Sequence, residues 1–368
     1  MATAMWLRFR WRKISNNSLA VFSPLRKHCR PYFSRATLIE KYNLKPRSYT
    51  VKNYKYITDR DLAERVAKVL NVQGHCVIEA SPGPGMLTRA MIDSGAKQVI
   101  GLEPDKIFME DLRSLQSETN GKFTPLFGDF GKIDPHLVHD ESDTKARICR
   151  APAIASKDLF KGISPVEWES DETPVKFVGI EGGKTLASTT KILMSYLARV
   201  PGKESIFKIG RCELLFFYTH DRAERLLAQP GTKYYNRLSI MASLFCDVNV
   251  IHREPCQMFD PYFRKDGKKE LQLISIVPKK RLDFSIPEDC LHLVGYFIRI
   301  LMIKPKQSLA TSLDGISPGS HVILDNLGLP HDTRASDLVP KMYGRLLEQF
   351  FQWNERSLEF FYSMSSRY

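Results

Sequence analysis

Short apolar runs alternate with amphipathic stretches along most of this chain, and the alternation has the period of strand and helix in turn. Thr58 reads as a helix N-cap with Asp61 three residues on, and Leu62, Val66 and Val69 supply one apolar face, so the spacing predicts a helix over roughly 59–70. The run Cys76-Val77-Ile78 then reads as a buried strand, residues 82–85 as a Pro/Gly turn, and Met86, Leu87, Ala90 and Met91 as the inner face of a second helix. Val99-Ile100-Gly101-Leu102 predicts a second strand ending in Glu103, after which Pro104 is placed to open a helix carrying Ile107, Phe108, Leu112 and Leu115. A third strand runs from Phe123 to Phe127, just ahead of Asp129.

The alternation stalls for about 45 residues, longer than connections inside compact domains usually run. It resumes with a strand at Val175–Val178, a helix near 185–199, the strand Glu213–Phe217, helices at 221–228 and 234–246, and strands near 247–252 and 271–277. After Pro278 the pattern becomes helical, with stretches at Leu291–Ile303 and Leu346–Phe361. Strand–helix alternation at this spacing predicts an α/β, doubly wound, Rossmann-like parallel sheet that binds its ligand at the carboxyl ends of the strands. We therefore expect a presequence over 1–35, the sheet domain over 50–278, and a small C-terminal helical domain over 279–368.

Charge changes the reading at the N-terminus. The net charge of +13 is uneven, because residues 1–39 hold eight of the 54 basic residues and no acid, which leaves 46 basic against 41 acidic afterwards. An Arg- and Ser-rich, acid-free start seeded with Trp6, Leu7, Phe9, Trp11 and Ile14 has the composition of a mitochondrial transit peptide. A disordered basic arm that touches nucleic acid is the alternative. No apolar stretch approaches the roughly 18 residues of a membrane span, and the seven cysteines include no C-x-x-C pair, so neither zinc nor a disulfide framework is indicated. Arg264, Lys265, Lys268 and Lys269 with Lys279, Lys280 and Arg281 form a basic run around the last strand, readable as a phosphate-binding patch or as a solvated face.

Chemistry concentrates at the predicted strand ends. Glu79 precedes a turn in which Gly83 and Gly85 let the backbone approach a ligand at a helix N-terminus, and Glu103, 24 positions on, ends the next strand where an acid can accept from ribose hydroxyls. Asp129, after the third strand, can accept from an adenine amino group. Each acid alone is an ordinary solvated residue; at three successive strand ends they favour a nucleotide-like ligand.

Glu79-Ala80-Ser81-Pro82-Gly83-Pro84-Gly85-Met86-Leu87-Thr88, then Leu102-Glu103-Pro104-Asp105, then Gly128-Asp129-Phe130 resemble the ribosomal RNA adenine dimethyltransferase family. So do Tyr56-Ile57-Thr58-Asp59 and the helix pair from Arg225–Gly231 through Tyr235–Met241, and the likeness runs from about Tyr54 to Pro278. It implies a S-adenosylmethionine-dependent methyltransferase fold with Ile57, Glu79, Gly83, Gly85, Glu103 and Asp129 lining an S-adenosyl-L-methionine pocket.

Two departures stand out. Ser81 replaces the family's first turn glycine, which an ordinary backbone conformation would accommodate. Where the family has Asn-Leu/Ile-Pro-aromatic after a strand, this chain reads Gly179-Ile180-Glu181-Gly182-Gly183. An adenine amino group is a poor nucleophile, and the asparagine carbonyl that accepts its hydrogens is missing at Ile180, as is the stacking ring at Gly183. No catalytic residue is therefore assigned.

A presequence with a lost catalytic asparagine resembles the branch of the family that works in the mitochondrial matrix nucleoid with the mitochondrial RNA polymerase, holding melted mitochondrial promoter DNA. Tyr54–Asp59 and Phe207-Lys208-Ile209-Gly210-Arg211 carry that likeness. The alternative it leaves is dimethylation of adjacent adenines in mitochondrial small-subunit rRNA.

Overall fold

The computed structural model describes residues 34–44, 54–135, 151–181, 186–262 and 269–359; the predicted presequence up to residue 33 lies outside them, as do Gly182, Gly183, Arg264, Lys265 and Lys268. Seven strands form one sheet in the order β3-β2-β1-β4-β5-β7-β6. They are β1 (Cys76–Ala80), β2 (Gln98–Glu103), β3 (Phe123–Phe127), β4 (Val175–Ile180), β5 (Glu213–Thr219), β6 (Cys246–Pro255) and β7 (Glu270–Pro278). The first five pair in parallel, and β7 enters antiparallel between β5 and β6. The chain order reverses between β1 and β4, which opens a crevice beyond their carboxyl ends.

The helices are α1 (Arg35–Lys41), α2 (Arg60–Leu70), α3 (Met86–Asp93), α4 (Met109–Glu118), α5 (Ser156–Leu159), α6 (Leu186–Leu197), α7 (His220–Leu226), α8 (Arg237–Phe245), α9 (Val294–Leu301), α10 (Leu309–Asp314), α11 (Val322–Asn326) and α12 (Pro340–Gln352). Three differ from the sequence-based expectation for identifiable reasons. Asp59, not Thr58, caps α2, because its carboxylate accepts from Leu62 N at 2.8 Å while the Thr58 hydroxyl donates to buried Asp260. Pro104 does not open an α-helix: Asp105 caps a 3₁₀ turn over Lys106–Phe108, which leaves Ile107 exposed, and α4 follows. The last long helix starts earlier than its apolar stretch suggests, with Pro340 in its first turn, and ends at Gln352 rather than continuing to 361.

The helices after Pro278 share one hydrophobic core with the sheet and α6–α8. Phe297 of α9 packs on Phe350 of α12 with ring centroids 4.8 Å apart. The Tyr235 hydroxyl donates to Leu338 O at 2.7 Å across the junction, and within the C-terminal helices the Tyr343 hydroxyl donates to Ala335 O at 2.6 Å, so both buried phenols are satisfied. Arg211, part of the predicted mitochondrial-branch segment, donates to Trp168 O at 2.7 Å and Pro278 O at 3.1 Å, pinning the chain between β3 and β4 against the end of β7. Its role here is structural.

Candidate functional site

The turn after β1 lies under β2 through one carboxylate. Glu103 is fully buried; one oxygen accepts from Gly83 N at 2.8 Å and the other from Asp105 N at 2.7 Å, tying the glycine turn to the end of β2. Burial pushes its pKa up to about 8, against the two amide bonds that favour the charged form. Gly83 has φ +57°, and a Cβ there would meet the Tyr56 ring at 2.2 Å. Gly85 has φ +76°, and its Cβ would meet Leu115 at 2.9 Å, so both positions need glycine. Ser81 shares the left-handed region at φ +58°, so the ordinary backbone conformation that would accommodate a serine easily is not the one adopted.

The other strand-end residues are placed differently. Glu79 is buried and accepts from the Thr88 hydroxyl of α3 at 2.5 Å, with its pKa pushed by burial to about 7; its carboxyl holds strand to helix behind the turn. Asp129 caps the following 3₁₀ turn by accepting from Gly131 N at 2.9 Å. Ile57 is buried next to Tyr56, whose ring packs on Phe108 at 5.0 Å, and Phe108 in turn packs on Tyr42 at 4.7 Å. Arg35 of α1 bonds Asp260 at 2.8 Å, and Lys41 bonds Asp111 of α4 at 2.7 Å, so α1 is strapped across this aromatic row.

Beyond β4 the crevice narrows to a cavity of about 70 Å³. Ser81 and Asp129 line it from one side, Ile180 and Glu181 from the second, and Phe216 and Tyr218 of β5 from the third, with Tyr54 and Tyr196 also present. Glu181 is buried against Arg222 of α7, with 2.5 Å between charged atoms. Burial raises its carboxyl to about 7 even against that guanidinium. Since a cavity of roughly 150 Å³ is needed to hold benzene, a purine enters this one only if side chains move.

Sequence reasoning missed Arg222, Phe216, Tyr218 and Tyr196; a lone arginine on a polar helix and aromatics in apolar strands carry no local mark of a site. The described members of the basic run stand at the two ends of β7, as a run flanking a strand should. Lys269 is exposed before β7 and Lys279, Lys280 and Arg281 follow its other end, separated by a nine-residue strand, or about 30 Å. Lys279 donates to Ser243 O at 2.6 Å and Lys280 pairs with Asp171.

Sheet order, the glycine turn and the acid closing β2 define the S-adenosylmethionine-dependent methyltransferase fold. The chain belongs to the ribosomal RNA adenine dimethylase family, which it matches over residues 47–350. It is 33% identical to human dimethyladenosine transferase 2, mitochondrial, over 62% of this chain and 59% of that protein. With the bovine protein of the same name it shares 31% identity over 80% of this chain and 76% of that one. An amoebal dimethyladenosine transferase 1, mitochondrial, from Vermamoeba vermiformis is 23% identical over 87% of this chain and 94% of its own. Among solved structures, a dimethyladenosine transferase from Plasmodium falciparum superposes with TM-score 0.52 at 14% identity, covering 79% of this chain and 96% of that one, a likeness of fold alone. No described helix is long and apolar enough to cross a membrane, and the described residues hold no cluster of metal-ligating side chains.

Proposed function

We propose that this protein is a nucleic-acid-binding factor of the mitochondrial matrix nucleoid that helps the mitochondrial RNA polymerase open promoter DNA, in the manner of mitochondrial transcription factor B in its second form. The observation that carries the reading is the loop after β4. Ile180 offers no acceptor for an adenine amino group, and the neighbouring carboxylate of Glu181 is committed to Arg222. The wall that should position a nucleophilic amine is instead a closed ion pair.

The cofactor end supports retained binding of S-adenosyl-L-methionine. Glu103 and Asp129 stand at the ends of successive strands beside two glycines that admit no side chain, an acceptor set suited to ribose hydroxyls and an adenine amino group. When bound, the cofactor supplies a methyl group. Glu103 would exchange its amide partners for ribose hydroxyls, Asp129 would accept from the base, and Tyr56 with Ile57 would exclude water. That retained end favours a second reading, dimethylation of adjacent adenines in mitochondrial small-subunit rRNA.

Promoter-driven transcription with the matching mitochondrial RNA polymerase, run beside methylation of the rRNA hairpin, separates the two. With Glu103→Ala and Asp129→Ala combined, transcription is expected to persist in a folded protein, because holding a melted strand needs a basic groove and no methyl donor. An initially active methylase that loses activity in this variant, with no transcription by either protein, makes the enzyme reading the correct one.

A further inference from the structure

One buried carboxylate holds the segment that covers the glycine turn. Asp260 stands in the connection from β6 to β7, and its neighbour Phe259 is fully buried against Phe217 of β5, with ring centroids 5.1 Å apart. Its main chain exchanges two hydrogen bonds with Tyr56, accepting from Tyr56 N at 2.7 Å and donating to Tyr56 O at 2.9 Å, an antiparallel bridge outside the seven-stranded sheet. Its side chain accepts from the Thr58 hydroxyl and from Arg35 of α1, whose Nε lies at 2.8 Å and Nη2 at 3.1 Å. Three segments far apart in the chain thus meet at a single residue.

The middle segment is the one that touches the turn. A Cβ at Gly83 would strike the Tyr56 ring, so Tyr56 rests on bare glycine backbone, and Tyr56, Ile57 and Thr58 are all buried. Helix α1 closes over the outside of this segment, with Tyr42 packed on Phe108 and Phe108 on Tyr56. Its two fastenings differ. Lys41 and Asp111 are 39% and 35% exposed, so water screens their attraction, whereas the Asp260 side chain is 6% exposed and Arg35 also donates to Gln257 O at 2.8 Å. The same carboxylate oxygen takes both the Thr58 hydroxyl and Arg35 Nε, which couples the cover to the helix. A planar guanidinium fork is the side chain suited to bridging a carboxylate and a carbonyl at once.

We propose that Asp260 is a positioning residue for S-adenosyl-L-methionine: it holds Tyr56 and Ile57 against the glycine turn through Thr58, and latches α1 over them through Arg35, so that cofactor binding and closure of α1 are coupled. This assignment rests on the retained cofactor binding argued above and adds what closes that site. The coupling is reciprocal, since a latch that favours the bound state is favoured by the bound cofactor by the same factor.

The test uses the full chain with Arg35→Gln, Arg35→Lys and Asp260→Asn. Calorimetry measures S-adenosyl-L-methionine binding, and amide hydrogen exchange follows residues 35–41 and 54–59 with and without the cofactor. In the parent, the cofactor is expected to slow exchange in both segments. Arg35→Gln changes a partly exposed side chain and should leave the melting temperature of the cofactor-free chain close to the parent's. It should weaken cofactor binding roughly 3–10-fold, and abolish the cofactor's effect on 35–41 while keeping it on 54–59. Asp260→Asn should weaken binding at least as much, adding Arg35→Gln to it should lower affinity little further, and Arg35→Lys should restore part of the loss. A role in folding alone gives the opposite result: lower melting temperatures, unchanged cofactor affinity, and exchange over 35–41 indifferent to the cofactor. That result overturns the proposal. A parent chain that binds no cofactor sinks the cofactor reading and the latch together, whereas a parent that binds it no better than all three variants sinks the latch alone.

Discussion

The two halves of the crevice have been treated differently by the sequence. On the β1–β3 side, glycines with positive φ, the bridging carboxylate of Glu103 and the cap at Asp129 keep the parts a nucleoside-bearing cofactor needs. On the β4–β5 side, Ile180 removes the acceptor, and Glu181 with Arg222 fills the wall with a buried ion pair. The two ends of one crevice thus differ in kind: hydrogen-bonding groups and bare backbone on one side, an apolar side chain and a buried ion pair on the other. The glycine turn is also a folding element, with Glu103 stitching β2 to it, so losing it would endanger the sheet.

Breaking the ion pair is the strongest test of the β4–β5 half. Glu181→Ala takes the carboxylate from a buried guanidinium and should destabilise the domain by about 3–5 kcal/mol in denaturant unfolding, whereas Arg222→Ala lets the Glu181 carboxyl take up a proton and should cost less. Replacing both, with Glu181→Leu and Arg222→Met, should recover most of that loss. If the single variants unfold like the parent, the pair does not hold the wall and the loop is free to serve chemistry. The matching test on the β1–β3 half is Glu103→Ala, which should weaken S-adenosyl-L-methionine binding by about 1.5–3 kcal/mol by calorimetry, whereas Ile180→Ala should leave it unchanged. An unmodified protein that binds no cofactor would show that this half, too, is now structural.

The same division governs how much could be read from sequence. The strands and the glycine turn were legible because their signals are local: apolar runs of strand length, and glycines where only glycine fits. The helix expected after Pro104 is present as α4 with Leu112 and Leu115 buried, but its α-helical part starts later because Asp105 offers its carboxylate to a 3₁₀ turn at Ile107. Arg222 was illegible because its partner lies 41 positions away, and nothing near either residue announces the pairing. The strand between the two groups of lysines was legible too, since the apolar run at 271–277 already separates them.

Protonation sharpens the comparison, because both halves bury carboxyls. Glu79 and Glu181 are raised to about 7 and Glu103 to about 8, from an ordinary value of 4.5. The folded state holds these protons more tightly than the unfolded chain, so their contribution is fully present below about pH 4.5 and is lost as pH rises through 7 to 8. Stability without cofactor should therefore decline between pH 5 and 8, by up to about 1.4 kcal/mol per pH unit for each carboxyl. Urea unfolding of Glu103→Gln should show a shallower decline persisting to a lower pH limit. A profile identical to the parent's would mean that Glu103 is ionised throughout and held so by the amides of Gly83 and Asp105.

The smallest effect comes from Ser81, where the halves meet. It is a non-glycine residue at φ +58°, fixed there by its own amide bond to Leu102 O at 2.8 Å, and its side chain lies at the cavity wall. The left-handed conformation costs a residue with a Cβ roughly 1–2 kcal/mol, and glycine gives back part of that advantage through its freer unfolded state. Ser81→Gly should therefore stabilise the domain by about 0.5–1 kcal/mol, read as a rise in melting temperature. Removing the side chain also opens the wall between the cofactor turn and the Glu181 cavity, so cofactor affinity should rise or hold. A loss of stability would instead show that the serine side chain supports the turn, and that the departure from glycine here belongs with the restructured half of the crevice rather than the conserved one.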